Sequence, residues 1–415
     1  NIWKSIDGGE TWTNSADWLG RQGIDYVHAD QHVLTFHPFN GALFSGCDGG
    51  IYKLDAGSDD WQDKSEGLGI LQVYRLGLFY EEDERALLGP QDNGIINITE
   101  NEVSDLWLSE AGDNFYHHTY PNRIFVSGYG LGLCKSYNGG STISPIHPPG
   151  VTKYVFNPPF IKHSSLEIIY CAFDDVYMSN NWGNSWTKIK DNPSGMSRMQ
   201  SLEVSSSDEN VIYTANYSNI WRTNDNGDSW VEITGDLLYV NAAISDITIS
   251  EQNSQHIWVT LGNYVDGEKV YRSIDGGDSW ENISYDLPNV PVNCITFETG
   301  SESAVYIGTD NAVYYNNAET NQWIYFSDGL PNVIVNELEI NPVTEKIKAA
   351  TFGRGLWESE LMDQNMLLVS ENGHKGFKIF PNPTSGLIRI ELIDKPLSEI
   401  EIKVFDMDGR EALNI

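Results

Sequence analysis

The feature that most constrains this chain is a repeated octapeptide. Residues 5–12 read SIDGGETW, and residues 273–280 repeat them as SIDGGDSW. Looser copies occupy residues 223–230 (TNDNGDSW) and 179–186 (SNNWGNSW). The tryptophans at positions 186, 230, 280 and 323 are separated by 44, 50 and 43 residues, and a propeller blade of four short strands takes about 40 to 45 residues. The repeat therefore predicts an all-β chain built as a β-propeller.

The octapeptide also has a local meaning. Asp or Asn followed by Gly closes a tight hairpin, because glycine adopts positive φ without steric cost and the carboxylate accepts N–H bonds within its own turn. The tryptophan that ends each copy has a large apolar area to bury between neighbouring sheets.

The pattern S/T-x-D-x-G-x-T/S-W resembles the Asp-box (BNR) repeat of sialidases, sortilin-type receptors and xyloglucanase-type hydrolases. In those families the repeat holds the fold together, so the resemblance implies that the matching residues are structural rather than catalytic. These residues are Asp7, Trp12, Asn181, Trp186, Asp225, Trp230, Asp275 and Trp280.

Charge excludes several classes of partner. The 415-residue chain carries 59 acidic and 25 basic residues, a net charge of −34, which repels nucleic acid and anionic membranes. No apolar run approaches the roughly 18 residues that a membrane-spanning helix requires. The four cysteines lie in separate strand-like apolar runs, which favours buried free thiols over a disulfide framework. They are Cys47, Cys134, Cys171 and Cys294.

Units of four strands can be aligned from residue 24 to residue 330. Seven whole units fit this span, preceded by the end of another blade at residues 1–20 and followed by three strands at 333–361. We therefore predict a propeller over residues 21–361 with about seven to eight blades, or one part of a tandem-propeller protein. Because the chain starts inside a strand, we expect a larger parent protein.

A different pattern begins after Leu361. Residues 362–376 are predicted to be a linker, and residues 377–386 read FKIFPNPTSG before two alternating strands at 387–392 and 400–405. This stretch resembles the C-terminal sorting domain of type IX secretion substrates, with Phe in place of the usual Tyr of the YPNP motif. The resemblance implies a truncated sorting domain over residues 377–415, in the form of a partial Ig-like β-sandwich. It also implies a secreted or cell-surface protein of a Bacteroidetes-type bacterium, with the type IX secretion machinery as a partner.

Blade topology predicts which turns share a face. Turns between the second and third strands lie with the connections from a fourth strand to the next first strand, whereas the octapeptide turns lie on the opposite face. Arg354 aligns with a turn of the first class. We expect that face of three consecutive units to gather acids, amides and histidines, namely His28, Asp30, His32, Asp48, Gln91, Asp92, Asn93, Asp113 and Asn114.

These residues also have simpler structural explanations. The segments at 48–50 and 93–94 are strong hairpin formers. His28, Asp30 and His32 alternate along a predicted extended segment, so they are a candidate site for a divalent cation. Lone histidines at a propeller mouth more often bond to the neighbouring backbone, and no cofactor is assigned.

A glycosidase requires two carboxylates, about 5 to 5.5 Å apart for retention or about 6.5 to 9.5 Å apart for inversion. Sialidase chemistry is disfavoured because a single arginine aligns with a mouth turn and no R-I-P motif occurs. The HADQH, DGG, QDNG and GDNF segments resemble secreted Asp-box propellers classed as glycosyl hydrolases. The catalytic candidates are Asp30, Asp48, Asp92 and Asp113, and the binding candidates are His28, His32, Gln91, Asn93, Asn114 and Arg354.

Two functions from different classes remain open. The first is a secreted or cell-surface propeller that recognises or hydrolyses complex carbohydrate. The second is a non-catalytic module that binds a glycan or a surface protein through the same face. Two acids at glycosidase distance beside aromatic side chains would favour the first function, and acids tied into turn hydrogen bonds would favour the second.

Overall fold

The computed structural model describes residues 1–362 apart from short gaps at 83, 108–110, 129–131, 152–156, 192–198, 236, 238–242 and 318–319, together with four strands between residues 377 and 414. Within these residues the chain forms seven four-stranded antiparallel sheets, one three-stranded sheet and three two-stranded sheets. The predicted all-β propeller fold is confirmed.

The first two sheets make up what we call the side region, residues 1–63. A two-stranded sheet packs on a four-stranded one, and Ile2, Ala16, Tyr52 and Trp61 belong to the core that they share. A short 3-10 turn at Arg21–Gly23 lies between the two sheets in sequence. The strands are β1 (Ile2–Lys4), β2 (Thr13–Ala16), β3 (Gln31–Phe36), β4 (Leu43–Cys47), β5 (Gly50–Leu54) and β6 (Trp61–Asp63).

The next seven sheets are the blades of a ring, which we number 1 to 7 in chain order. Blade 1 contains β7 (Val73–Leu78), β8 (Ala86–Pro90), β9 (Ile95–Thr99) and β10 (Glu102–Trp107). Blade 2 contains β11 (Ala111–Tyr116), β12 (Ile124–Gly128), β13 (Gly132–Ser136) and β14 (Ser144–Pro145). Blade 3 contains β15 (Phe160–Lys162), β16 (Ile169–Ala172), β17 (Val176–Ser179) and β18 (Thr187–Lys190).

Blades 4 to 6 are also four-stranded, and blade 7 has three strands among the described residues. Blade 4 contains β19 (Met199–Val204), β20 (Ile212–Asn216), β21 (Ile220–Thr223) and β22 (Val231–Glu232), and blade 5 contains β23 (Ile244–Ile249), β24 (Ile257–Leu261), β25 (Val270–Ser273) and β26 (Glu281–Asn282). Blade 6 contains β27 (Val292–Phe297), β28 (Val305–Thr309), β29 (Val313–Asn316) and β30 (Ile324–Tyr325). Blade 7 contains β31 (Ile334–Asn341), β32 (Lys346–Phe352) and β33 (Gly355–Glu360).

The ring closes between blade 1 and blade 7 through side chains of β31. The N–H of Leu76 donates to the Glu337 carboxylate, and the N–H of Leu78 donates to Oε2 of Glu339 at 3.0 Å. The amide of Asn336 donates to a carbonyl of β7 at 2.8 Å. Because these bonds join the first blade to the last one, the seven blades form a closed circle.

Both faces of blade 1 are covered by other blades. Leu76 shares a hydrophobic core with Ala350 of blade 7, and Leu87 shares another with Tyr116 of blade 2. The four-stranded sheet of the side region therefore has no place in the ring. The ring starts at Val73, whereas the repeat pattern had predicted a propeller from residue 21.

The octapeptides of the ring form the predicted turns between third and fourth strands, and the copy at 5–12 is the turn between β1 and β2. In the copy at 273–280, the N–H of Ser279 donates to Oδ1 of Asp275 at 2.9 Å, and the N–H of Gly277 donates to Oγ of Ser273 at 2.7 Å. Asn181 plays the same part in blade 3. Hydrogen bonds from the hydroxyl and N–H of the Ser or Thr four residues on lower the pKa of the turn aspartates to about 2; these are Asp7, Asp225 and Asp275.

The tryptophan of each octapeptide in the ring binds the preceding blade. Nε1 of Trp280 donates to the carbonyl of Ile233 at 2.8 Å, and its partly buried ring packs on the core below it. Each such tryptophan therefore connects two neighbouring blades by packing of its indole ring and by one hydrogen bond. The equivalent bonds run from Trp230 to Ile189 at 2.8 Å and from Trp186 to Ile146 at 2.6 Å.

The chain from Met362 onward is a separate unit. In it β34 (Phe377–Phe380) pairs with β35 (Arg389–Leu392), and β36 (Lys403–Phe405) pairs with β37 (Glu411–Asn414), both antiparallel. Strands were predicted in both β35 and β36. The predicted linker at 362–376 lies outside the described residues except for Met362, and so does the whole of the PNPTSG motif.

The cysteines are free thiols, as predicted. Three of them are buried, and Cys47 is half-buried. Burial raises the pKa of the Cys134 thiol to about 11. Among the described residues, no helix has the length and apolar character needed to cross a membrane.

Candidate functional site

Three aspartates meet where the side region faces blade 1. Asp30 directly precedes β3, Asp48 lies in the turn between β4 and β5, and Asp92 lies in the turn between β8 and β9. One carboxylate oxygen from each residue lies within 4.8 Å of those of the other two. Asp30 is exposed, and the other two are half-buried. The structure thus gathers three of the four predicted catalytic aspartates, and they come from two separate sheets.

The backbone at this cluster is unusual. Asp30 and Asp92 adopt φ angles of 53° and 57°, in the left-handed region that non-glycine residues seldom occupy. Asp is one of the few residues that tolerates this conformation. In both segments the left-handed residue turns the chain sharply, and this brings the two loops to the same place.

The two histidines of the HADQH segment do not join these aspartates in a shared cation site. His28 is buried under the following hairpin, where a Cβ atom on Gly49 would lie 2.3 Å from its ring. Nε2 of His32 is bonded to Oδ1 of Asp48 instead. The prediction of His28, Asp30 and His32 on one side fails because the positive φ of Asp30 breaks the extended alternation. Among described residues, the acids placed to hold a metal ion are Asp30, Asp48 and Asp92.

Amide and aromatic side chains border the cluster on the side of blade 1. Tyr74 donates its hydroxyl to Oε1 of Gln91 at 2.7 Å, and Nδ2 of Asn93 donates to the Gln91 carbonyl at 2.8 Å. The Tyr74 ring lies 5.3 Å from that of Phe352 in blade 7. Arg354 is exposed two residues further on and bonds to its own turn through the carbonyl of residue 353 at 2.8 Å.

Asp113 and Asn114 lie away from this cluster. Asp113 binds Nε of Arg75 at 2.6 Å and accepts the N–H of Phe160 at 2.8 Å. Asn114 is only 4% exposed, and its Nδ2 donates to the Gly112 carbonyl at 3.1 Å. The prediction of a mouth position for both residues is wrong, because 111–116 is the innermost strand of blade 2 rather than a connection.

Asp113 is part of a charged cavity at the centre of the ring. The cavity has a volume of about 230 Å³, and all seven blades contribute to its lining. Sequence analysis missed this feature apart from Asp113, although charged residues recur in the first strand of several units. The charged lining residues are Arg75, Asp113, Glu203, Asp246, Glu337 and Glu339.

Burial raises the pKa of the acids in this cavity. It raises the pKa of Glu339 to about 7, although Lys162 acts in the opposite direction. It also raises the pKa of Asp246, which bridges blades by accepting from Oγ of Ser201 at 2.9 Å and the N–H of Ile295 at 3.1 Å. Asp113, Asp246, Glu337 and Glu339 form hydrogen bonds between innermost strands of neighbouring blades, so we take the aspartate cluster between the side region and blade 1 as the candidate site.

Comparison with known proteins identifies the C-terminal unit. Residues 378–414 match the family described as the secretion system C-terminal sorting domain. This segment is a type IX secretion sorting domain. A sorting domain of this kind indicates export by type IX secretion to the cell surface or the medium, as predicted. No curated protein matches the sequence at a significant level.

Solved structures share the fold of the ring. An ancestral GH74 enzyme matches 71% of this chain with a TM-score of 0.57 and 16% identity, and the match spans 45% of that enzyme, less than half of its length. YCF48 from Cyanidioschyzon merolae matches 69% of this chain and 94% of its own, with a TM-score of 0.54 and 11% identity. YCF48 bound to D1 peptide matches with a TM-score of 0.52 and 12% identity, over 71% of this chain and 94% of that one.

Proposed function

We propose that this exported propeller binds a polysaccharide between the side region and blade 1 and hydrolyses it with Asp30 and Asp92. The observation that carries the proposal is the meeting of three carboxylates from two separate sheets, with oxygens within 4.8 Å. Oxygens no more than 4.8 Å apart are compatible with the close carboxyl pair of retaining glycosidases, about 5 to 5.5 Å apart, rather than with the separation of about 6.5 to 9.5 Å in inverting ones.

The chemistry requires two of the three aspartates. One carboxylate attacks the anomeric carbon while the other carboxylic acid protonates the departing sugar oxygen, so the glycosidic bond breaks and a glycosyl ester forms. Water then attacks this ester, gives its proton to the second carboxylate and releases the sugar and the first carboxylate. Asp48, which is held by His32, is suited to a positioning role.

The surroundings support a sugar ligand. Tyr74 and Phe352 supply apolar rings beside the cluster, and Gln91 and Asn93 supply amides that bond to hydroxyl groups. The net charge of −34 favours a neutral polymer over an anionic one. The sorting domain places the protein where extracellular polysaccharide occurs. The fold shared with a GH74 enzyme is consistent with this proposal.

The second candidate is a non-catalytic binder at the same cluster. A propeller of this fold, YCF48, has been solved with a bound peptide. The His32 bond to Asp48 favours this candidate, because a carboxylate engaged in a hydrogen bond is less available for reaction.

The test is hydrolysis of neutral polysaccharides by the purified chain, measured as release of reducing ends. Asp30→Asn and Asp92→Asn should each lower turnover by at least about 1,000-fold, because each removes one of the two reacting groups. Neither should move the melting temperature, since neither carboxylate has a hydrogen bond to its own turn among the described contacts. Turnover should persist in EDTA, because the carboxylates themselves react.

The matched control is Asp174→Asn. Asp174 is an exposed aspartate in the equivalent turn of blade 3, so its loss should leave turnover unchanged. If the protein binds a polysaccharide but does not hydrolyse it, and the Asp30 and Asp92 variants no longer bind it, the protein is the non-catalytic binder. Inhibition by EDTA would reassign the three aspartates to a metal ion, and full activity of both variants would overturn the proposed site.

A further inference from the structure

A single long loop stands out on the ring. The turn between the second and third strands has two to four residues in six blades, but in blade 5 it has eight, residues 262–269. This is the same class of turn that carries Asp92 in blade 1, so the loop belongs to the same face of the ring. Long loops on a regular scaffold commonly carry function.

The loop is held at its base. Lys269 is fully buried, its ammonium group donates to the carbonyl of Asn263, and its N–H donates to Oγ of Ser284 at 2.8 Å. Oδ1 of Asn263 also accepts the N–H of Val265 at 3.1 Å, which closes a turn at the tip. Such anchoring fixes the direction in which the residues between Asn263 and Lys269 project.

The loop is also held at its tip by the next blade. The hydroxyl of Tyr264 donates to Oδ2 of Asp310 at 2.9 Å, and Oδ1 of Asp310 accepts from Nδ2 of Asn293 at 3.1 Å. Tyr264 nevertheless remains 67% exposed. A mostly exposed aromatic residue that is fixed at its hydroxyl contributes little to a core.

We infer that Tyr264 is a platform on which a neutral pyranose ring stacks, outside the Asp30–Asp48–Asp92 cluster. A fixed aromatic face offers a flat apolar contact at little cost in conformational entropy, because the side chain is already ordered. Asp310 and Asn293 lie at the edge of this face and provide groups for sugar hydroxyls. Tyr217, in the equivalent turn of blade 4, is a second exposed aromatic residue on this face, at 46% exposure.

The class of ligand follows from charge. The acidic platform edge and the net charge of −34 disfavour anionic sugars and favour a neutral polymer. The inference rests on the proposed function to the extent that the same polysaccharide reaches both sites. The platform holds a distant part of a chain whose cleavable bond lies at the aspartates.

The experiment is affinity electrophoresis of the chain in native gels that contain hydroxyethyl cellulose, xylan, galactomannan or xyloglucan. Retardation by at least one polymer is expected. Tyr264→Ala should weaken that retardation by roughly ten-fold in apparent Kd, whereas Tyr264→Phe keeps the ring and should lose no more than roughly three-fold. The matched control is Tyr325→Ala, since Tyr325 is 51% exposed but lies on the outermost strand of blade 6.

A second measurement separates the platform from the aspartate cluster. For the hydrolysed polymer, Tyr264→Ala should raise KM, while KM for a short oligosaccharide that occupies only the cluster should not change. If Tyr264→Ala hydrolyses the polymer with the parent's KM and is retarded as much as the parent, the platform is refuted and the hydrolysis is not. Retardation that depends on Tyr264 without any turnover would refute the hydrolysis alone. The platform is also refuted if no polymer is hydrolysed and none retards the protein. It is refuted as well if Tyr325→Ala weakens retardation as much as Tyr264→Ala does.

Discussion

The ring and the side region contain nearly the same octapeptide, and it behaves differently in the two places. In both copies the aspartate accepts the N–H four residues later at 2.9 Å, from Thr11 in the side region and from Ser279 in the ring. The tryptophans differ. Trp280 is partly buried and bonds to the preceding blade, whereas Trp12 is 58% exposed and bonds to Gly9 within its own turn at 3.1 Å.

The difference separates what the octapeptide determines from what its surroundings determine. The bonds that shape the turn are local, since in both copies the aspartate and the serine that opens the turn accept N–H bonds from within the same eight residues. The ring copy has further bonds to its surroundings, such as the one from the N–H of Gly276 to the Gln255 carbonyl at 2.8 Å. The contribution of the tryptophan to stability is not local, because it needs a neighbouring blade with a free carbonyl and an apolar surface. A repeated motif can therefore be folded identically at every copy and still stabilise the protein at only some of them.

The largest expected effect is on this tryptophan pair. Trp280→Ala removes a packed indole and an inter-blade hydrogen bond, so we expect the free energy of unfolding to fall by about 3–5 kcal/mol. Trp12→Ala should change it by no more than about 0.5 kcal/mol, because the indole is mostly in solvent. Chemical denaturation monitored by far-ultraviolet circular dichroism would measure both. Equal losses in the two variants would show that Trp12 also has a neighbour to pack on.

A smaller effect should appear in the pH dependence of the ring. Burial raises the pKa of Glu339 to about 7, so the stability linked to this group is present below about pH 4.5 and is lost as pH rises through 7. The turn aspartates act in the opposite sense: their pKa is lowered to about 2, so their stability is present above about pH 4 and is lost as pH falls through 2. The two windows overlap at about pH 4 to 4.5, so we expect the stability linked to these groups to be maximal there and to decline as the pH rises to 7.

Glu339→Gln tests the assignment. The amide still accepts the N–H of Leu78 but does not ionise, so the variant should be more stable than the parent at pH 8.5 by roughly 1–3 kcal/mol and nearly equal to it at pH 5. Thermal melts at both pH values would measure this. Glu302→Gln, at an exposed position in blade 6, is the control. A constant difference at both pH values would show that ionisation of Glu339 is not the cause.

The smallest effect should be shared by both regions. Asp7→Ala and Asp275→Ala each remove the acceptor of a turn N–H, so we expect hydrogen exchange at Thr11 and at Ser279 to accelerate by similar factors. Exchange measured by NMR or mass spectrometry would report this locally. If exchange accelerated only in the ring copy, the turn would depend on the neighbouring blade and the contrast between the two regions would be lost.

Sequence predicted the fold because its signals are local. The hairpin turns, the spacing of tryptophans and the strands of each unit all appear within one repeat. The start of the ring could not be predicted in this way, because the sheet at 31–63 has the same pattern as a true blade. Which sheets join the ring is decided by contacts between Leu76 and Glu337, which are far apart in the chain.

The candidate site was predicted in part for the same reason. Asp48 and Asp92 lie in turns that the repeat alignment identifies, so their common face followed from topology. Asp113 was misplaced because a short polar stretch was read as a connection, although it forms the innermost strand of blade 2. The left-handed conformation of Asp30 interrupts the extended alternation on which the prediction for His28, Asp30 and His32 was based, and no sequence pattern indicated it.

The fastening of blade 7 to blade 1 has a consequence for how the protein is made. Glu337 and Glu339 lie in the last blade, and the sorting domain at 378–414 follows that blade in the chain. A ribosome therefore completes every strand of the ring before it synthesises the sorting domain. Chains truncated within the ring cannot close it, and because they also lack the sorting domain they are not exported. The order of synthesis by itself thus screens exported molecules for a complete ring.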